Sequence, residues 1–114
     1  MSVKTASFEK YKVEYYSRKT SDTEMVRIWL YKGYIDAGNI KFVKDGATLP
    51  DNSYATSQVS GVTKVYLWFP LSRFNDVITL LREEKPLEAN FDTDTKDGWI
   101  GTVGSEAVGE EEGS

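Results

Sequence analysis

The sequence predicts an α+β fold: an antiparallel β-sheet with one helix packed on one face, in the chain order ββββαββ. Three observations carry this. Four stretches before residue 70 alternate apolar and polar residues with the period of a half-buried strand. One later stretch, Ser72 to Lys85, switches to the helical period, with Phe74, Val77, Ile78 and Leu81 on one side. The links between strands are turn-rich and too short for a crossover helix, so consecutive strands are expected to pair antiparallel.

Each element has its own justification. Phe8 to Arg18 places Tyr11, Val13 and Tyr15 on one face and Lys10, Lys12, Glu14 and Arg18 on the other. Met25 to Lys32 alternates Val26, Ile28 and Leu30 with Arg27, Trp29 and Tyr31, and Lys32-Gly33 makes a tight turn. A third strand, about Tyr34 to Lys44, turns Ile40 and Phe42 inward, and Gly38 inside it suggests a bulge. After a long turn-rich link through Pro50-Asp51-Asn52-Ser53, a fourth strand alternates Val65, Leu67 and Phe69 with Lys64, Tyr66 and Trp68. Ser72 is the expected N-cap of the helix, Asp76 suits its positive end, and Pro86 terminates it. Leu87 to Phe91 and Trp99 to Val103 form a closing hairpin around Asp92 to Gly98.

Length and charge set the organisation. At 114 residues without Cys the chain is expected to form one domain over residues 1–104, since two cores would lack staples. Four of the 18 acids, Glu106, Glu110, Glu111 and Glu112, lie in the last ten residues, which hold no base. The first 104 residues therefore carry 14 acids and 14 bases, and the net charge of −4 belongs to an acidic tail. Residues 105–114 offer little to bury and are expected to be flexible and dispensable for stability. No signal-like apolar stretch opens the chain and none reaches membrane-spanning length, so a cytoplasmic protein without membrane contact is expected.

Composition narrows the chemistry. The chain has no His and no Cys, which removes imidazole and thiolate nucleophile systems and the usual zinc sites. Asp92 to Gly98 looks calcium-like, but Lys96 and Asp97 occupy positions that an EF-hand loop gives to an oxygen ligand and to Gly. A polar hairpin loop is the better reading. No glycine-rich phosphate loop opens onto a helix. An enzyme is the least supported class, and no metal or cofactor is expected.

The informative feature is the face opposite the helix. Strand parity exports Arg27, Trp29, Tyr31, Lys41, Lys64, Tyr66 and Trp68 together, with Lys10, Lys12 and Arg18 beside them and Glu14 as the main acid. This makes a locally positive, aromatic face. Such a face most often becomes an interface or a second core under the last two strands. Single-stranded nucleic acid comes next, because rings stack on bases and cations track phosphates. A small apolar ligand is third. The expected function is a non-enzymatic binding or assembly module, a homo-oligomer (dimer) through this face, with single-stranded nucleic-acid binding as the alternative.

Two resemblances accompany these readings. From Phe69-Pro-Leu-Ser-Arg-Phe-Asn-Asp-Val through Leu81-Arg-Glu-Glu-Lys-Pro86, with the Glu106 to Glu112 ending, the C-terminal half looks like small bacterial proteins of unassigned function. The ββββα order is similar to that of the Whirly and positive-cofactor types of single-stranded nucleic-acid binder. That likeness is one of topology, and fold alone does not imply function.

Overall fold

Alternation of large apolar residues builds two sheets rather than one. The computed structural model describes residues 2–17, 24–84 and 86–104. The chain forms β1 (Val3–Phe8), β2 (Lys10–Tyr15), β3 (Glu24–Lys32), β4 (Ile35–Val43), β5 (Ser53–Thr56), β6 (Thr63–Pro70), a short 3-10 turn at Leu71–Arg73, α1 (Phe74–Glu83), β7 (Leu87–Asp92) and β8 (Gly98–Thr102). A five-stranded sheet has the order β2-β3-β4-β6-β5, and a three-stranded sheet has the order β1-β7-β8. The class is α+β, and pairing is antiparallel except between β4 and β6.

Strand parity assigns the core. Ile28, Leu30, Ile40, Phe42 and Val65 are completely buried, and Val26 and Leu67 nearly so. Phe69 is half-buried and packs against this cluster. At roughly 25 cal/mol per Å² of apolar surface removed from water, each such side chain contributes about 1.5–3 kcal/mol. The helix covers part of this inner face: Val77 and Leu81 are buried, and the Phe74 ring meets Phe42 edge-on at 5.2 Å. The small sheet covers the rest through Ala6, Phe8, Leu87, Ala89 and Phe91. At its β8 end Gly98 lies directly on the Leu67 side chain, with no room for a Cβ.

Four sequence expectations need correcting. The predicted first strand, Phe8 to Arg18, is β2, which starts only at Lys10, and a strand absent from the prediction, β1, precedes it and pairs with β7. The β1 residues Val3, Thr5 and Ser7 alternate with Lys4, Ala6 and Phe8, but only Ala6 and Phe8 are buried, too sparse a pattern to signal a strand. The short β5, fully exposed along Ser53–Thr56, was hidden in the turn-rich link. Because β5 takes up the reversal, β6 returns parallel to β4, against the antiparallel rule applied to that link. Six strands, not four, therefore precede the helix. Ser72 is not the N-cap: it lies in the 3-10 turn, Arg73 holds the cap position without a side-chain cap, and the Ser72 N–H donates to Asp45 Oδ1 at 3.0 Å.

The Gly38 expectation fits the register, which is irregular where Leu30↔Gly38 gives way to Tyr31↔Asp36. Gly38 has φ +122°, and a Cβ there would strike the Val65 backbone carbonyl on the neighbouring strand. No helix among the described residues is long and apolar enough to cross a membrane. Arg18 and the acidic stretch 105–114 lie outside the described residues.

Candidate functional site

Because the helix and the small sheet both sit on the inner face, the outer face of the five-stranded sheet carries no covering element among the described residues. The alternative in which the last two strands cover it is not what the chain does: β7 and β8 pack on the side of Leu67 and Ala89. The register then lays the seven predicted residues out in rows across β2, β3, β4 and β6. One row reads Glu14, Arg27, Lys41 and Trp68. The next reads Lys12, Trp29, Asn39 and Tyr66, with Ser53 beyond it on β5. Beside the bulge a third group holds Lys10, Tyr31 and Asp36, with Lys64 paired to Asp36. All seven are half-buried, as side chains standing on an open sheet are.

Contacts between the rows knit rings to charges. Lys41 Nζ sits 4.6 Å from the Trp68 ring centroid and 5.3 Å from that of Tyr66, and it donates to Asn39 Oδ1 at 2.7 Å. Burial among these rings, with the Arg27 guanidinium nearby, lowers the Lys41 ammonium below its ordinary value. The Arg27 guanidinium lies 5.0 Å from the Trp29 ring. The Trp29 indole N–H donates to Glu14 Oε1 at 2.6 Å, and this bond is the main cause holding the Glu14 carboxyl below the usual range. Such cation–ring contacts contribute about 0.5–1 kcal/mol where solvent reaches them and more where it does not.

The expected positive potential is partly neutralised, because two acids that the sequence reading did not place there join Glu14 on this face. Glu24 grips Arg27 with two hydrogen bonds, Nε to Oε2 at 2.7 Å and Nη2 to Oε1 at 2.8 Å. Simple alternation from Val26 puts Glu24 inward. A register shift between Glu24 and Val26 instead turns it outward beside Arg27. Asp36 reaches the face through the Gly38 bulge: one oxygen accepts the Gly38 N–H at 2.8 Å and the other lies 3.6 Å from Lys64 Nζ. Lys12 lies 3.8 Å from Glu14. Lys41 is the face's central cation, and an amide and two rings partner it. An inward-parity acid at the mouth of a strand was the available signal for Glu24.

The other candidate chemistry resolves structurally. Asp92 Oδ1 accepts from the Asp94 and Thr95 N–H groups, so the calcium-like loop is a self-capped turn. Among the described residues no cluster of three or more acids could hold a metal ion. No family model, curated protein or solved structure matches the chain.

Proposed function

We propose that this protein is a non-enzymatic assembly module whose outer sheet face binds a second copy of the same chain. The observation that supports it most is internal pairing. Arg27, Lys12 and Lys64 each have a carboxylate beside them, and the Trp29 indole N–H is satisfied by Glu14. A face whose polar atoms are already partnered loses less on desolvation than one with open charges. Trp29 and Trp68 then supply flat apolar area at low entropic cost, the usual anchors of an interface. The same patch on two copies meets about a two-fold axis, the commonest route to a closed dimer. Light scattering after size-exclusion chromatography tests this. Twice the chain mass at high concentration, falling on dilution, is expected; a monomer across the whole range removes the reading.

A second reading rests on Lys41. A cation held between the Trp68 and Tyr66 rings matches the alternation of phosphate and base in single-stranded DNA or RNA. Short oligonucleotides titrated at low salt should quench Trp68 if this is its use, with affinity falling steeply as salt rises. Absence of quenching at micromolar protein retires it.

A further inference from the structure

The solvent side of the three-stranded sheet carries an inference independent of the five-stranded one. Strand alternation gives its inner side Ala6, Phe8, Leu87, Ala89, Phe91 and Ile100, all part of the core. The other side therefore takes Thr5 and Ser7 of β1, Glu88 and Asn90 of β7, and Trp99 and Gly101 of β8. The register sets these in two rows: Thr5, Asn90 and Trp99 in one, Ser7, Glu88 and Gly101 in the next. Thr5, Ser7 and Trp99 are exposed and Glu88 is half-buried, so the rows are open to solvent.

Three features single this surface out. Trp99 is 42% exposed. Trp29 and Trp68 each have a cation of the chain at their ring, at 5.0 and 4.6 Å, whereas no described cation stands at Trp99. Asn90, directly opposite Trp99, is only 4% exposed. Its Oδ1 accepts from the Thr5 hydroxyl at 2.8 Å, while its Nδ2 donors have no partner among the described residues. No enclosed side-chain nitrogen among those residues lacks a partner, so this amide opens onto the surface. Glu88, diagonal to Trp99, likewise has no described partner. Gly101 completes the set: a Cβ there would meet nothing within 4 Å, which leaves a gap beside Trp99 along β8.

We propose that this surface binds a neutral oligosaccharide, with one pyranose ring lying on Trp99. A pyranose presents a face of C–H bonds and a rim of hydroxyls that donate and accept. The electron-rich face of the indole attracts the C–H face. The Asn90 amide supplies donors to the rim, and the Glu88 carboxylate with the Thr5 and Ser7 hydroxyls supplies acceptors. A ring platform with a few convergent polar groups is how such sites fix orientation. Charge sets the class of sugar. The two rows hold one acid and no base, and the neighbouring Lys4 and Lys96 reach instead for the Tyr54 and Phe91 rings, at 5.4 and 5.8 Å. Phosphorylated, sulfated or acidic sugars are therefore disfavoured. Trp99 also borders a cleft of about 210 Å³ against Arg73, Asp76 and Val77, so a sugar chain has room to continue past the ring.

NMR titration of the full chain with cellohexaose and with maltohexaose tests the proposal, the two probes separating β-linked from α-linked glucose. At least one should move the Trp99 indole N–H and the Asn90 side-chain amide, with a Kd on the order of 1 mM or tighter. The Trp29 and Trp68 indole signals should stay in place. Trp99→Ala should weaken binding at least about tenfold and Glu88→Ala by a smaller factor, with the Ile28 and Ala89 amides unchanged as the check on folding. Absence of movement with both hexasaccharides at roughly 10 mM overturns the proposal. So does movement of Trp29 or Trp68 in place of Trp99, or an equal response to glycerol at matched hydroxyl concentration.

Discussion

The two faces of the five-stranded sheet come from the same alternating residues, yet they are organised by different forces. The inner face is held by burial alone: Ile28, Leu30, Ile40, Phe42 and Val65 have no exposed surface, and any residue of similar size and apolarity serves. The outer face is held by pairing, as in Trp29 with Glu14, Arg27 with Glu24 and Lys41 with Asn39. Burial follows from parity, which any strand shows in its sequence. Pairing depends on register, and register turns on two bulges that parity does not predict.

Substitutions can break this contrast. Ile28→Asp places an unpaired carboxylate in the fully buried layer and should cost about 3–5 kcal/mol, read as a large fall in the urea midpoint. A melt like the parent's would mean the inner face is misassigned. Gly38→Ala should cost about 2–4 kcal/mol, because a Cβ meets the Val65 carbonyl and φ +122° is strained for alanine. That loss should come with disturbance of the Asp36–Lys64 pair, visible as shifted outer-face resonances in NMR spectra.

On the outer face the expected effects move from stability to partnering. Arg27→Met leaves Glu24 nearly buried without its guanidinium and should destabilise by about 1–3 kcal/mol, measured by chemical denaturation. Glu14→Gln is the mildest change. The Glu14 carboxyl is lowered chiefly by the Trp29 hydrogen bond, so its contribution is present above the ordinary value of 4.5 and is lost as pH falls through the lowered folded value. The stability gap between parent and Glu14→Gln should therefore be present at neutral pH and close on acidification.

How much of this was legible follows from the same contrast. The inner set from Val26 to Phe69, the helix face and the C-terminal hairpin follow directly from period, because burial writes itself into apolar spacing. The seven outer residues follow as the complement of that set. Their partial neutralisation does not, since Glu24 and Asp36 reach the face only through bulges. Nor does β1: a strand with two buried positions, Ala6 and Phe8, lacks a readable period. The parallel β4–β6 pair was obscured because β5 is four exposed residues in a link rich in turn formers.

The measurement closest to the central claim is the solution mass of Trp68→Ala beside that of the parent, with thermal melts of both at low concentration. Trp68 stands on the outer face against Lys41 and lies outside the buried layer. The account predicts that the parent self-associates and that the variant is at least about tenfold weaker, a loss of about 1.4 kcal/mol or more. Both chains should melt within a few degrees of each other when dilute, as a change of about 1 kcal/mol allows. A parent and a variant with the same mass at every concentration would contradict it.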